Sequence, residues 1–286
     1  MNQSDQLANR EKAACRVCQQ DADFFFIKPI LGRYQVRYFK CPGCGFVQTE
    51  TPFWLEEAYT NLSFRRDVGM VDRSINAANT TVSLAFHLDI SSDEPCLDWG
   101  AGTGLMVRRC RDFGMDFRYF DPYASNVFAV GFEEAVPSAK AGYALVTAFE
   151  VAEHFADPVR NFGQLLELEP RYLLFATLLY SGQEPDWWYF IDDGQHVAFY
   201  TRRSLERIGE QFGYRLISNN CDLHMFSRQH LPDRLLNRVR RTAPRLAARY
   251  RRQYGSRIEP DFARMNRLVS ESHPQRSTSA SPPSKI

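Results

Sequence analysis

Residues 98–104, Asp-Trp-Gly-Ala-Gly-Thr-Gly, follow an apolar run and precede a stretch in which Leu105, Met106, Cys110 and Phe113 share one side of a helix. Glycine at 100, 102 and 104 removes every second β-carbon, so the backbone can turn tightly and approach a ligand where a strand hands over to a helix. The spacing is not the dinucleotide fingerprint, whose last glycine follows two intervening residues. Further on, Glu150-Val-Ala-Glu153-His154 and Gly194-Gln195-His196 supply carboxylates and imidazoles, groups able to take up or hold a proton. Cys15-Arg-Val-Cys18 and Cys41-Pro-Gly-Cys44 form two Cys-x-x-Cys pairs separated by 22 residues. Each tight turn aims two sulfurs at one point, and two such turns complete a tetrahedral thiolate site for zinc. With cysteine at all four ligand positions none is left open, so the zinc expected here is structural. Disulfides are the competing reading, but the polar N-terminus has no signal-type apolar region, and a cytoplasmic, reducing location is expected. A redox Cys-x-x-Cys would need only one pair. Cys96, Cys110 and Cys221 fall in core-like segments and read as buried thiols.

These groups need a frame. Asp116 to Asp121 reads as an alternating aromatic strand stopped by Pro122, and Tyr143 to Phe149 as a buried strand. Val159 to Leu168 reads as a helix closed by Pro170, and Tyr172 to Leu179 as another apolar strand. Thr201 to Phe212 is a helix with a threonine cap and a Gly213 stop. Tyr214–Ser218 and Leu223–Ser227 suit a terminal antiparallel pair. This alternation predicts an α/β fold, a doubly wound and mainly parallel sheet with helices on both faces. Ahead of it, Phe24–Ile27 and Tyr34–Phe39 read as short strands between the cysteine pairs, a small zinc ribbon. The expected organisation is a ribbon and linker over residues 1–60 and a catalytic domain over 61–228. A basic helical extension over 229–269 and a disordered tail over 270–286 follow.

The run Asp-x-Gly-x-Gly-x-Gly resembles the glycine loop of class I S-adenosylmethionine (SAM)-dependent methyltransferases, which have a Rossmann-like sheet. The resemblance covers about residues 80–228. It places SAM on Asp98, Gly100, Ala101, Gly102, Gly104 and Phe149, with Asp121 on the ribose hydroxyls. Glu150-x-x-Glu153-His154-x-x-x-Pro158 resembles the signature after the fourth strand of small-molecule methyltransferases, including ubiquinone-pathway O-methyltransferases. The same spacing with a later histidine, here His196, is similar to the metal site of small-RNA 2′-O-methyltransferases, and carboxylates with imidazoles suit a divalent ion. Catalysis is therefore assigned to Glu150, Glu153, His154 and His196. Three readings stay open: histidine as general base, a second divalent metal, or pocket lining.

Trp187-Trp188-Tyr189 lies in a stretch that this fold sets over the strand ends, and reads either as a platform for a planar or sugar-like substrate or as a plug onto the ribbon. Trp54-Leu-Glu-Glu-Ala-Tyr59 is a candidate further wall. The whole layout resembles methyltransferases found with bacterial surface-polysaccharide enzymes, which implies a small-molecule or carbohydrate-type acceptor methylated at a hydroxyl. The four-cysteine ribbon is also shared with nucleotide-sugar C-methyltransferases, which carry a further C-terminal domain, and with some ribosomal RNA methyltransferases. Net charge is only +1, but Arg228 to Arg257 holds ten arginines against one carboxylate, Asp233. Contact with rRNA or tRNA, peripheral contact with an anionic membrane, and a solvated helix packing its apolar stripe on the enzyme all remain open. A non-catalytic SAM-binding interaction protein is the third function class. Hydrophobic residues make up 44% of the chain, ample for a core, and no run of apolar residues is long enough to span a membrane.

Overall fold

The computed structural model of the protein describes residues 12–60 and 68–272. Two sheets organise it. The first is antiparallel, in the order β1 (Lys12–Ala14), β2 (Asp21–Ile30), β3 (Tyr34–Lys40), β4 (Val47–Thr49) and β9 (Ala198–Phe199). Its last strand comes from far along the chain, pairing Val47 with Phe199 and Gln48 with Ala198. The ribbon expected within residues 1–60 is thus completed by the catalytic part. Helix α1 (Leu55–Thr60) follows it.

The second sheet runs β10 (Arg215–Ser218), β11 (Leu223–Ser227), β8 (Tyr172–Ala176), β7 (Leu145–Phe149), β5 (Pro95–Trp99), β6 (Asp116–Phe120). β6, β5, β7 and β8 are parallel, and β11 lies antiparallel between β8 and β10. The mainly parallel sheet and the terminal antiparallel pair match the periodicity. β7 and β8 are buried along their length, as strands covered on both faces must be. Helices α2 (Met70–His87), α3 (Leu105–Asp112), α4 (Pro158–Leu166) and α5 (Arg202–Gln211) join the strands. α5 begins at the expected cap: Thr201 and Ser204 exchange side-chain and backbone hydrogen bonds.

The basic segment forms helix α6 (Arg234–Tyr254), which packs along α2. Leu236, Val239, Ala243, Leu246, Ala247 and Tyr250 are buried while the arginines face outward. Ser83 Oγ donates to the Val239 carbonyl at 3.0 Å. Pro244 sits inside the helix without ending it. Helix α7 (Ile258–Ser272) is strapped to α3 by a two-pronged ion pair, Arg111 Nε and Nη2 to the Asp261 carboxylate at 2.9 and 2.7 Å. The tail expected from Ser270 thus begins inside a helix, and residues 273–286 lie outside the described ones. Among the described residues no helix is long and apolar enough to cross a membrane.

Candidate active site and cysteine cluster

Strand β5 delivers Asp98 and then the glycine turn, whose three glycines all have positive φ. At Gly102 (φ +56°) an added β-carbon would meet nothing within 4 Å among the described residues, so the turn leaves open space where a ligand can press against bare backbone. Its amide donates to Asp121 Oδ2 at 2.9 Å, and Oδ1 of the same carboxylate accepts from the Tyr123 and Ala124 amides at 2.8 Å. Asp121 therefore joins the end of β6 to the glycine turn. Asp98 is buried, accepts from Thr147 Oγ1 at 2.7 Å, and has its pKa pushed up to about 7, chiefly by desolvation.

The turn opens on a cleft of about 680 Å³ at the carboxyl ends of β5 and β7, where chain connections depart to opposite sides of the sheet. Asp98, Gly100, Ala101, Gly102, Phe149 and Glu150 line it, so six sequence-assigned residues share one cavity. Gly104 and Asp121 are not among the lining residues; Gly104 closes the turn at the start of α3, and Asp121 holds it through the Gly102 amide. The opposite wall comes from α2 and α6, through Arg73, Thr80, Arg240 and Ala243. Sequence reasoning missed this wall, because an apolar stripe shows that a helix packs but not against what.

Beyond β7, a short 3-10 turn over Ala152–His154 swings Glu153 inward and brings His154 close to His196. One ligand atom each from Glu153, His154 and His196 lie within 4.8 Å of one another. Both Glu153 oxygens are buried without a hydrogen-bond partner of normal geometry among the described residues. Desolvation raises that carboxyl to about 7, and the nearby Tyr189 and Thr177 hydroxyls oppose it only in part. Nδ1 of His154 lies 3.0 Å from the Gln195 carbonyl, and Nδ1 of His196 lies 3.0 Å from the Tyr189 carbonyl. A carbonyl can only accept, so each Nδ1 carries the proton and each Nε2 keeps a lone pair. Burial lowers both imidazole pKa values, that of His196 to about 3. Both residues are half-buried. A dry carboxylate beside two neutral imidazoles with fixed tautomers is a donor set suited to a divalent cation. Glu150 is left out of this cluster and stands on the cleft wall, its φ of +54° bending the chain out of β7.

The aromatic triplet divides. Tyr189 is buried, and Trp187 packs with Phe190 and Phe199 against the ribbon core, so these two serve as the plug. Trp188 is 68% exposed and remains a candidate platform. Tyr59, at the end of α1, stacks on Tyr123 with ring centroids 6.2 Å apart, and stands 6.2 Å from the His154 ring. Of the Trp54–Tyr59 segment, Tyr59 thus stands at the rim, whereas Trp54 is buried in the ribbon core.

Four cysteine sulfurs lie within 4.8 Å of one another, with Cys15 and Cys44 Sγ at 3.6 Å and Cys18 and Cys41 Sγ at 3.4 Å. All four are free thiols. A tetrahedral zinc with bonds of about 2.3 Å sets sulfurs about 3.8 Å apart, so the cluster fits zinc and not disulfides. The residue after each second cysteine, Gln19 and Gly45, takes positive φ, and the two turns share one shape. Cys96 and Cys110 are buried as expected, whereas Cys221 is exposed at the β10–β11 turn.

A family profile described as a methyltransferase domain matches residues 73–219, just over half of the chain. No curated protein matches the sequence significantly. Among solved structures, mitomycin 7-O-methyltransferase MmcR is 17% identical with a TM-score of 0.45, over 63% of this chain and 61% of that one. The chain thus spans about three fifths of that protein. A Burkholderia thailandensis 1,6-didemethyltoxoflavin-N1-methyltransferase, solved with S-adenosylhomocysteine (SAH), is 13% identical with a TM-score of 0.45, over 70% of this chain and 97% of that one. Synechocystis magnesium protoporphyrin IX methyltransferase, also solved with SAH, is 12% identical with a TM-score of 0.40, over 57% and 85%.

Proposed function

The chain belongs to the methyltransferase-domain family and is a class I SAM-dependent methyltransferase, and from that premise we propose that it methylates a hydroxyl of a small, carbohydrate-type acceptor held at the Glu153–His154–His196 cluster. The observation that carries this reading is the cluster itself: a fully buried carboxylate that makes no hydrogen bond of normal geometry among the described residues, the Tyr189 and Thr177 hydroxyls supporting it only in part, facing two imidazoles that keep their Nε2 lone pairs. Leaving such a carboxylate dry and only partly supported is costly, and a cation or an acceptor hydroxyl would relieve it. Exposed Trp188 and the Tyr59–Tyr123 pair offer flat faces for a sugar ring.

In this reading Gly100 to Gly104 cradles SAM, with Asp121 on its ribose hydroxyls and Asp98, Phe149 and Glu150 along the cleft. When bound, SAM supplies a methyl group on a positively charged sulfur that departs without acid assistance. The protein's task is to align the acceptor oxygen and dispose of its proton. His154 and His196 are already neutral, so each can accept a hydrogen bond at Nε2; His154 is the candidate proton acceptor, since His196, with its pKa lowered to about 3, is a poor base. A divalent ion on Glu153, His154 and His196 would supply positive charge that lowers the hydroxyl pKa. Zinc on the four cysteines is structural. The open sides of α6 carry arginines, but its apolar stripe is spent on α2, which favours the solvated helix over a docking arm for RNA or membrane.

The test supplies zinc-loaded protein with SAM labelled on the methyl group and a panel of nucleotide sugars, small hydroxylated metabolites and structured RNA. Label should enter a small hydroxylated acceptor. A mild chelator should stop transfer and Mn2+ or Mg2+ restore it, while Glu153→Gln should lose turnover and keep SAH affinity. Label entering RNA alone would overturn the acceptor reading. Chelator-resistant turnover would leave His154 as a base without metal.

A further inference from the structure

Arg16 lies within the first cysteine turn, and its guanidinium points away from the cysteines into the junction with the catalytic part. Nη1 donates to the Ala156 carbonyl at 2.7 Å, and Nη2 to the carbonyls of Thr49 at 3.1 Å and Val197 at 2.8 Å. Nε is buried and makes no hydrogen bond among the described residues. The acceptors lie on three segments. Thr49 ends β4, Ala156 is two residues past His154, and Val197 directly follows His196. The Val197 amide in turn donates to the Glu153 carbonyl at 2.9 Å. One side chain therefore touches the backbone beside His154 and His196, and reaches that of Glu153 through one further bond.

Among the described residues no carboxylate forms an ion pair with this cation, although Asp157 is near enough to attract it, and its hydrogen bonds go to backbone carbonyls. Taking a cation out of water is expensive, and filling the junction alone would be served better by an apolar side chain. What the guanidinium adds is a rigid planar fork that holds separate chain segments at fixed spacing. Its own backbone is held as firmly: the Arg16 amide donates to Gln48 Oε1 at 2.8 Å, and Gln48 Nε2 donates to the Ala14 carbonyl at 3.0 Å. Gln48 also pairs with Ala198 in the shared sheet.

We propose that Arg16 is a positioning residue, which sets the spacing of the His154 and His196 turns and couples them to the four-cysteine cluster. The metal readout of the test rests on the cluster function given above; the exchange readout does not. Zinc-loaded full-length Arg16→Met and Arg16→Lys are compared with the unaltered protein. Zinc content and SAH affinity should stay unchanged. Mn2+ affinity, followed by electron paramagnetic resonance, should fall about tenfold or more in Arg16→Met, the scale of losing a group that orients ligands, and recover in part in Arg16→Lys. Amide exchange should quicken over residues 152–157 and 194–199 and stay unchanged over 98–106. Zinc-loaded Arg16→Met with unaltered Mn2+ affinity and unaltered exchange would overturn the proposal. If Arg16→Met fails to fold, Arg16→Lys is judged on the same two measurements. If the unaltered protein binds no Mn2+ outside the cysteines, the metal reading fails and exchange alone decides the role of Arg16.

Discussion

Single residues in the cleft trade stability for ligand binding, and Asp98 shows the sign. Its folded pKa of about 7 lies above the ordinary 3.8 because burial penalises the charged form. Between those values the folded state holds a proton that the unfolded chain has released, so stability falls as pH rises through the window. The penalty is absent below about pH 4 and full above about pH 7, and reaches on the order of 4 kcal/mol. Asp98→Asn keeps an acceptor for the Thr147 hydroxyl and removes the charge. We expect the ligand-free variant to melt higher than the unaltered protein at pH 8, to lose that advantage by pH 4, and to bind SAH more weakly. Thermal melts from pH 4 to 8 showing a constant difference would contradict a buried, late-ionising carboxyl.

Among the elements, α6 changes most in meaning once its neighbours are known. It is a basic helix by composition, but its buried face covers α2 and its Arg240, Ala243 and Pro244 line the cleft at the glycine turn. Burial of a large apolar side chain contributes about 1.5–3 kcal/mol, so Leu236, Val239, Leu246 and Tyr250 together approach the whole stability of a typical domain. Truncation after Ser227 should therefore leave an insoluble or unfolded chain, not a working core enzyme. Leu246→Ala is the milder test, with an expected loss of about 2–4 kcal/mol in denaturant unfolding. A truncated chain with the melting temperature of the full one would show that α6 is dispensable.

At the scale of the molecule, ribbon and catalytic part form one body. β9 closes the ribbon sheet, Thr201 Oγ1 at the cap of α5 donates to the Cys44 carbonyl at 2.6 Å, and Trp54 Nε1 donates to the Gly194 carbonyl at 2.9 Å. The chain from 187 to 199, which carries His196, leans on the ribbon throughout. Cys41→Ser should then lose zinc and lower the single melting transition of the entire chain, instead of adding a separate early step for the ribbon. Calorimetry with zinc analysis decides between the two. An unchanged main transition after zinc loss would make the ribbon an independent module.

The residue pattern by itself determined what depends on near neighbours. Alternating glycines after a buried strand marked the turn, the aromatic alternation ended at Asp121, and paired cysteines marked two turns that share one metal-sized space. Tertiary structure alone decided what depends on which surfaces meet. His196 lies 42 residues after His154 in the sequence, and their rings meet because ribbon contacts hold the intervening loop in place. Periodicity cannot say whether Trp187 and Tyr189 face a substrate or plug a junction, nor that α6 walls the cleft, since either outcome buries the same apolar side. Nor does any local pattern mark Arg16, because its three acceptors are backbone carbonyls, a group every residue carries. Only the fold selects which of them gather around one guanidinium.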